Sequence, residues 1–167
     1  MISVEHARVM ARYNQWQNRS LYTAAEALGD SARKQDRAAF FGSIHGTLSH
    51  LVWADRVWLS RFRGEPRPAG GGIKESPGLF TDWQQMQLAR AEIDRQIVAW
   101  ADALDPCWLY GNLSWMSGAS GREVTRPLWF LVTHFFNHQT HHRGQVHAML
   151  TAAGAKPDDT DLLLHRM

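Results

Sequence analysis

From Leu131 to Met149 the chain carries apolar residues at helical spacing, and on the same stripe positions 138 and 142 are histidine. At about a hundred degrees per residue, Leu131, Phe135, His138, His142, Gln145 and Met149 fall along one side of a helix. A side that bears Leu, Phe and Met faces a core, and the two imidazoles go in with it. Polar rings in an apolar interior are costly unless each finds a partner. Side chains at i and i+4 stand about one turn apart on one face, the spacing at which two ring nitrogens reach a single ion. A bound metal satisfies both rings at once. The competing account is a pair of core histidines satisfied by hydrogen bonds, whereas a solvated polar face conflicts with Leu131, Phe135 and Met149 on the same stripe.

The segment His134 to His147 holds five of the nine histidines. His134 lies four residues before His138 and forms a competing pair, and His141 stands at the edge of the stripe; spacing leaves both open. Their angular offset suits a role beside the metal or in a pocket. His147 points to the opposite face and toward solvent. One helix face does not readily supply a third ligand, so another helix must. His6, His45 and His50 are the candidates. His50 shares its strip with Gly46, Thr47, Ala54 and Val57, small or apolar residues that leave room for an ion, and periodicity favours it only slightly.

The rest of the chain reads as helices. Val4 to Leu28 is a first long helix stopped by Gly29-Asp30, followed by a polar link with Ser31, Lys34, Gln35 and Asp36. A second spans about Ala38 to Phe62, with a seam of Ile44, Leu48, Leu51, Asp55, Trp58 and Phe62. Asp55 in that seam is either paired with an arginine such as Arg143 or directed at the site. Arg63 to Gly78, with Pro66, Pro68, three successive glycines and Pro77, cannot continue a helix. A third helix starts near Thr81, capped by Thr81 or Ser76, runs through Trp100 and ends before Asp105-Pro106. Alternation between Cys107 and Pro127, across the turn Ser117 to Gly121, predicts a small irregular hairpin. Pro127 opens a last long helix to about Ala153, stopped by Gly154, with a short turn near Thr160. The pattern predicts one all-α domain over 1–167, a four-helix bundle with a small β-hairpin-like insertion before the last long helix. The long third-to-fourth connection leaves the topology free to depart from simple up-and-down.

Eighteen Lys and Arg stand against sixteen Asp and Glu, a formal charge of +2 with no basic stripe, so no nucleic-acid partner is expected. Cys107 is the only cysteine, which points to a reducing compartment. Glu5, His6 and Arg8 fall where a signal peptide needs an apolar run, and no stretch is long enough to span a bilayer. A soluble, cytoplasmic protein without membrane contact is expected. Of the eight tryptophans, Trp16, Trp58, Trp83 and Trp129 lie at helical spacing that suits a core or interface, while Trp108 and Trp115 in the hairpin region are pocket candidates.

Two segments carry a family resemblance: Ser49-His50-Leu51-Val52-Trp53-Ala54-Asp55-Arg56-Val57-Trp58-Leu59, and Asn137-His138-Gln139-Thr140-His141-His142-Arg143-Gly144-Gln145. They resemble the DinB/YfiT-like superfamily of metal-dependent helical bundles, with a weaker match at Tyr13-Asn14-Gln15-Trp16. The resemblance implies one ligand from the second helix and two from the last, which are His50, His138 and His142 here. It also implies a small-molecule substrate and a homodimer, with Gly144 allowing close approach of another helix or subunit. Three neutral imidazoles leave a coordination position open and favour zinc, nickel, copper or iron over calcium and magnesium. Zinc comes first by availability, with nickel or iron as alternatives.

Relatives that resemble thiol S-transferases suggest a transferase in stress or detoxification chemistry, in which a low-molecular-weight thiol ionises at the metal. Asp55, Trp58, Gln145 and Tyr110, with His134 and His141, would shape the surroundings. A hydrolase that activates water at the metal, and a noncatalytic metal-binding stress-response module, are the alternatives.

Overall fold

The computed structural model describes residues 1–118 and 120–165; Ala119, in the expected hairpin turn, lies outside them. Helix α1 (Val4–Glu26) is followed by a short α2 (Gly29–Lys34), then by α3 (Ile44–Arg63) and α4 (Trp83–Asp102). Strands β1 (Asn112–Ser117) and β2 (Arg122–Pro127) pair antiparallel, Trp115 opposite Val124, ahead of α5 (Leu128–Ala152). Among the described residues, no helix is long and apolar enough to cross a membrane.

The helix starts follow from local chemistry. The Ser3 hydroxyl accepts from the His6 amide at 3.2 Å, Ser43 from Gly46 at 3.0 Å, and the Asp82 carboxylate from Gln85 at 2.7 Å. Each satisfies an amide that has no partner within its helix. Asp82 caps α4, in place of the expected Thr81 or Ser76. At the far end of α3, Gly64 takes the left-handed conformation, φ 66°, that closes many helices.

Helix α3 begins six residues later than the apolar pattern suggests. Ala38 has φ 54°, its amide donates to the Asp36 carboxylate at 3.0 Å, and Ala39 bridges Gly42, which has φ 75°. A tight turn therefore occupies the start of the expected second helix and carries Phe41 back over α3. The expected polar link after α1 is instead the single helical turn of α2. Its Asp30 and Lys34 pair at 2.8 Å, while buried Arg33 donates to the last carbonyls of α1 and lies 4.3 Å over the Trp83 ring.

Helices α1 and α3 each pack against both α4 and α5, so the first two long helices sit diagonally and the bundle is not a simple up-and-down one. The apolar core runs along the axis, with Phe62 stacked on Trp100 at 5.2 Å and edge-on to Phe135 at 5.6 Å. Helix α3 lies beside α5, which is what lets His50 meet His138 and His142.

A polar layer crosses this core. Arg90 of α4 donates to Asp55 of α3 at 2.6 Å and to Asp94 at 2.8 Å. Asp94 accepts from Asn14 and Asn18 of α1, and Gln139 of α5 donates to Asp55 at 3.0 Å. Arg143 of α5 donates to Asn14. All four long helices contribute. Two buried carboxylates meet the buried guanidinium of Arg90, the pairing under which buried charge is tolerated, while Arg143 is held by the neutral oxygens of Asn14 and Thr140. Asp55 pairs with Arg90 and not with Arg143, a correction to one sequence-based expectation.

Candidate metal centre

The inward side of α5 is rotated by about one residue from the expected stripe. Val132, Phe136, Gln139, Arg143, Val146 and Leu150 are buried along with Leu131, Phe135, His142 and Met149, whereas His138 and Gln145 are half-buried. Gln139 and Arg143 enter the interior because Asp55 and Asn14 satisfy them. His138 consequently sits at the rim of the core beside the buried His142, where a site can be both shielded and reached.

His50, His138 and His142 come together there, one ring nitrogen of each lying within 4.8 Å of the others. His50 Nε2 and His138 Nε2 are 3.3 Å apart. Four-coordinate zinc with Zn–N bonds of 2.0–2.1 Å spaces its ligand atoms by about 3.3 Å, so this pair already has that spacing. The 4.8 Å limit for the full set exceeds such an edge, so the third ring would have to draw in to complete the site.

Hydrogen bonds decide which nitrogens are free. The Ser76 hydroxyl donates its single proton to the Ile73 carbonyl at 2.6 Å, so at 2.8 Å from His50 Nδ1 it must accept. His50 therefore carries its proton on Nδ1 and presents a lone pair on Nε2. On the other side, His142 Nδ1 donates to the Gln145 side-chain carbonyl at 2.8 Å, and the amide end of Gln145 donates to His141 Nε2 at 3.2 Å. His142 likewise keeps Nε2 free. Ligating imidazoles are held in this way in metal sites, the second nitrogen donating to an oxygen.

Burial, with His138 and His142 adjacent, pushes His50 down to about 3. Burial, reinforced by the neighbouring histidines, does the same to His138, also to about 3, and burial lowers His142. All three are neutral near pH 7, the protonation state a metal requires. Phe41 covers His50, centroids 3.8 Å apart at 24°, and Trp53 stands 5.7 Å away.

The sequence profile of the DinB family matches residues 3–167. The chain belongs to the DinB family. It is 26% identical over 156 residues to Protein DinB of Bacillus subtilis (strain 168), covering 92% of this chain and 89% of that one. The fold is similar to the crystal structure of a DinB-like protein from Bacillus cereus ATCC 10987, with a TM-score of 0.61 at 20% identity over 86% of this chain and 90% of that one.

In this DinB-family bundle the other expected site residues take different positions. His141 is exposed, its ring 4.9 Å from His142. His134, also exposed, stands 5.8 Å from His138 and 5.2 Å from Trp58, which meets Trp115 of β1 edge-on at 5.7 Å. Gln145 bridges His141 and His142. Asp55 lies beneath the site, committed to Arg90 and Gln139. Tyr110 is 70% exposed on a 3-10 turn, Pro106–Tyr110, and Trp108 packs edge-on to Phe62 and Trp100 in the core, so neither forms part of the rim seen around the histidines. Of the rival third histidines, His45 donates to the Phe80 carbonyl at 2.7 Å and His6 is exposed on the first turn of α1.

Sequence reasoning missed Ser76 and Phe41. Ser76 is fully buried, although it sits among the glycines and prolines of a segment that reads as exposed loop. Phe41 carried one signal, the following Gly42, which marks a turn where the apolar pattern alone suggests a helix.

Proposed function

We propose that this DinB-family chain is a metal-dependent transferase of stress or detoxification chemistry. His50, His138 and His142 would hold one divalent transition metal ion and a low-molecular-weight thiol would be the cosubstrate. The reading is carried by the pair of oxygen acceptors, Ser76 Oγ and Gln145 Oε1, which leave Nε2 of His50 and His142 unprotonated toward His138. An all-nitrogen set suits zinc first, with nickel or iron as alternatives. A divalent ion on three imidazoles keeps a position for an exchangeable ligand and lowers the pKa of a thiol placed there.

The chain's own residues account for the remainder. Phe41 and Trp53 shield His50 from water on one side. His134 and His141, exposed beside the triad, are positioned to take up the proton that the thiol gives up. Asp55 is bound to Arg90 and Gln139 and is not free to act as a base, so the exposed histidines would carry proton transfer for a thiol or for water alike, and thiol dependence of turnover separates transfer from hydrolysis. A homodimer would use the exposed face of α5 at Gly144, where, among the described residues, nothing lies within 4 Å of a Cβ built on it.

The test is metal content by mass spectrometry on protein purified without an affinity-tag metal, for wild type, His50→Ala and His138→Ala. Near-stoichiometric transition metal in wild type, lost in both variants, is expected, together with turnover of electrophiles that requires added thiol. Wild-type protein that stays metal-free after incubation with zinc and nickel would overturn the proposal, and turnover independent of thiol would replace transfer by hydrolysis.

A further inference from the structure

Beyond the three histidines, one side of the site continues into a row of contacting aromatic side chains that ends on a cation with no counter-charge among the described residues. Arg61 lies eleven residues after His50 on α3, three turns on and within about twenty degrees of the same face, or roughly 16 Å along the axis. Its guanidinium stands 4.8 Å over Trp58 and 5.6 Å from the Trp115 ring. Trp58 touches His134 at 5.2 Å, and His134 touches His138 at 5.8 Å, so side-chain contacts run unbroken from the metal centre to Arg61. Trp58, Trp115 and Arg61 are half-buried and His134 is exposed, so every member of the row presents part of its surface to solvent.

Arg61 is the unusual member. Its side chain makes neither a hydrogen bond nor an ion pair among the described residues, whereas Arg63, two residues on, has both Glu65 and Gln96. Burial and the nearby charge of Arg67 act together to lower its pKa, marking a partly desolvated cation in a positive field. Arg67 itself donates only to the Gly71 carbonyl. Stacking on tryptophan uses the face of a guanidinium and leaves its edge, with five N–H donors, unspent. That edge matches a carboxylate, which accepts two parallel hydrogen bonds from it.

We propose that the partly exposed row of side chains from His138 to Arg61 binds an elongated ligand with a terminal carboxylate held by Arg61, so that the small molecule brought to the metal is an acid with an apolar middle. The inference rests on the metal-centre reading above. His50 and Arg61 both lean toward the N-terminus of α3, so their separation stays at about 16 Å. With about 2.3 Å to the metal at one end and about 2.8 Å to the guanidinium at the other, the ligand itself has to span about 11 Å.

The test uses cobalt(II)-loaded protein, with sulfur-to-cobalt absorption as readout, and thiols as rulers. 8-Mercaptooctanoate is titrated against 8-mercaptooctanol, and 3-mercaptopropionate, too short to reach from the metal to Arg61, against 3-mercaptopropanol. The long acid is expected to bind about tenfold more tightly than the long alcohol in wild type, the gain of a charge-assisted pair. The gap closes to within twofold in Arg61→Gln at unchanged cobalt content and circular dichroism, is intermediate in Arg61→Lys, and is absent for the short pair. Equal affinity for the long acid and alcohol in wild type, a gap that survives Arg61→Gln, or an equal gap for the short pair would each overturn the inference while leaving the metal centre intact. Protein that takes up no cobalt, or shows no sulfur absorption with any thiol, would overturn the metal-centre reading, and this inference with it.

Discussion

Replacing Ser76 by alanine tests whether the glycine-proline segment between α3 and α4 belongs to the metal centre. The substitution removes one oxygen and leaves His50 Nδ1–H in a fully buried place without its acceptor at 2.8 Å. In the metal-free protein His50 can respond by moving its proton to Nε2, toward His138 at 3.3 Å. A metal on Nε2 forbids that tautomer, so the cost falls mainly on the loaded form. A buried donor without a partner costs about 1–3 kcal/mol, and loss of an imidazole's outer hydrogen bond weakens metal affinity by about 10–100-fold. Zinc affinity, measured by competition with a chromophoric chelator, should fall within that range. Ser49→Ala is the control. The Ser49 hydroxyl donates to the Ser76 carbonyl at 2.7 Å and so ties the same segment to α3 without touching His50. It should lower the melting temperature but leave zinc affinity within about twofold. Unchanged affinity in Ser76→Ala, or an equal loss in Ser49→Ala, would refute the argument that Ser76 acts through the His50 tautomer.

Asp55→Ala takes one carboxylate from Arg90 and leaves Gln139 unpaired, and breaking a buried pair on one side should cost about 3–5 kcal/mol in urea unfolding; a loss below about 1 kcal/mol would contradict the polar layer. Gly144→Ala should stabilise a lone chain by about 0.5–1 kcal/mol, since the residue is exposed in a helix with open space around a Cβ, whereas a concentration-dependent loss of stability would reveal a second copy seated there. His50 and His138 in the metal-free fold titrate near 3, against an ordinary 6.5, so below pH 6.5 the unfolded chain binds more protons than the folded one. Their contribution is therefore complete above pH 6.5 and is lost as pH falls toward 3, by at most about 1.4 kcal/mol per pH unit for each ring and less where solvent screens it. Melting temperatures of the apoprotein between pH 7.5 and 5 should show that slope, flattened in His50→Ala; equal slopes in the two would argue against neutral buried rings.

The four long helices and the hairpin were legible because each has a strong period and clear stops. The seam of α3 placed Asp55 correctly in the interior, and the resemblance singled out the three histidines that the fold brings together. The late start of α3 and the cap of α4 depend on local turn chemistry, whereas the differences at the site depend on partners distant in sequence. Gln139 and Arg143 fall outside the stripe that the apolar residues define, yet each is buried by a bond to a residue on another helix, Asp55 and Asn14. Their inclusion rotates α5 by one residue and moves His138 from the core to its rim.

The same cause hid Ser76. Nothing in a run of glycines and prolines marks one serine as the acceptor that fixes a histidine tautomer 26 positions earlier. Periodicity reports which face of a helix turns inward, whereas protonation and reactivity depend on the single atom opposite each nitrogen. The loop is where such an atom can vary without disturbing the bundle. Exchange of the residue at 76 for one that still accepts a hydrogen bond should preserve metal affinity whatever its effect on folding, and an apolar residue of equal volume should not.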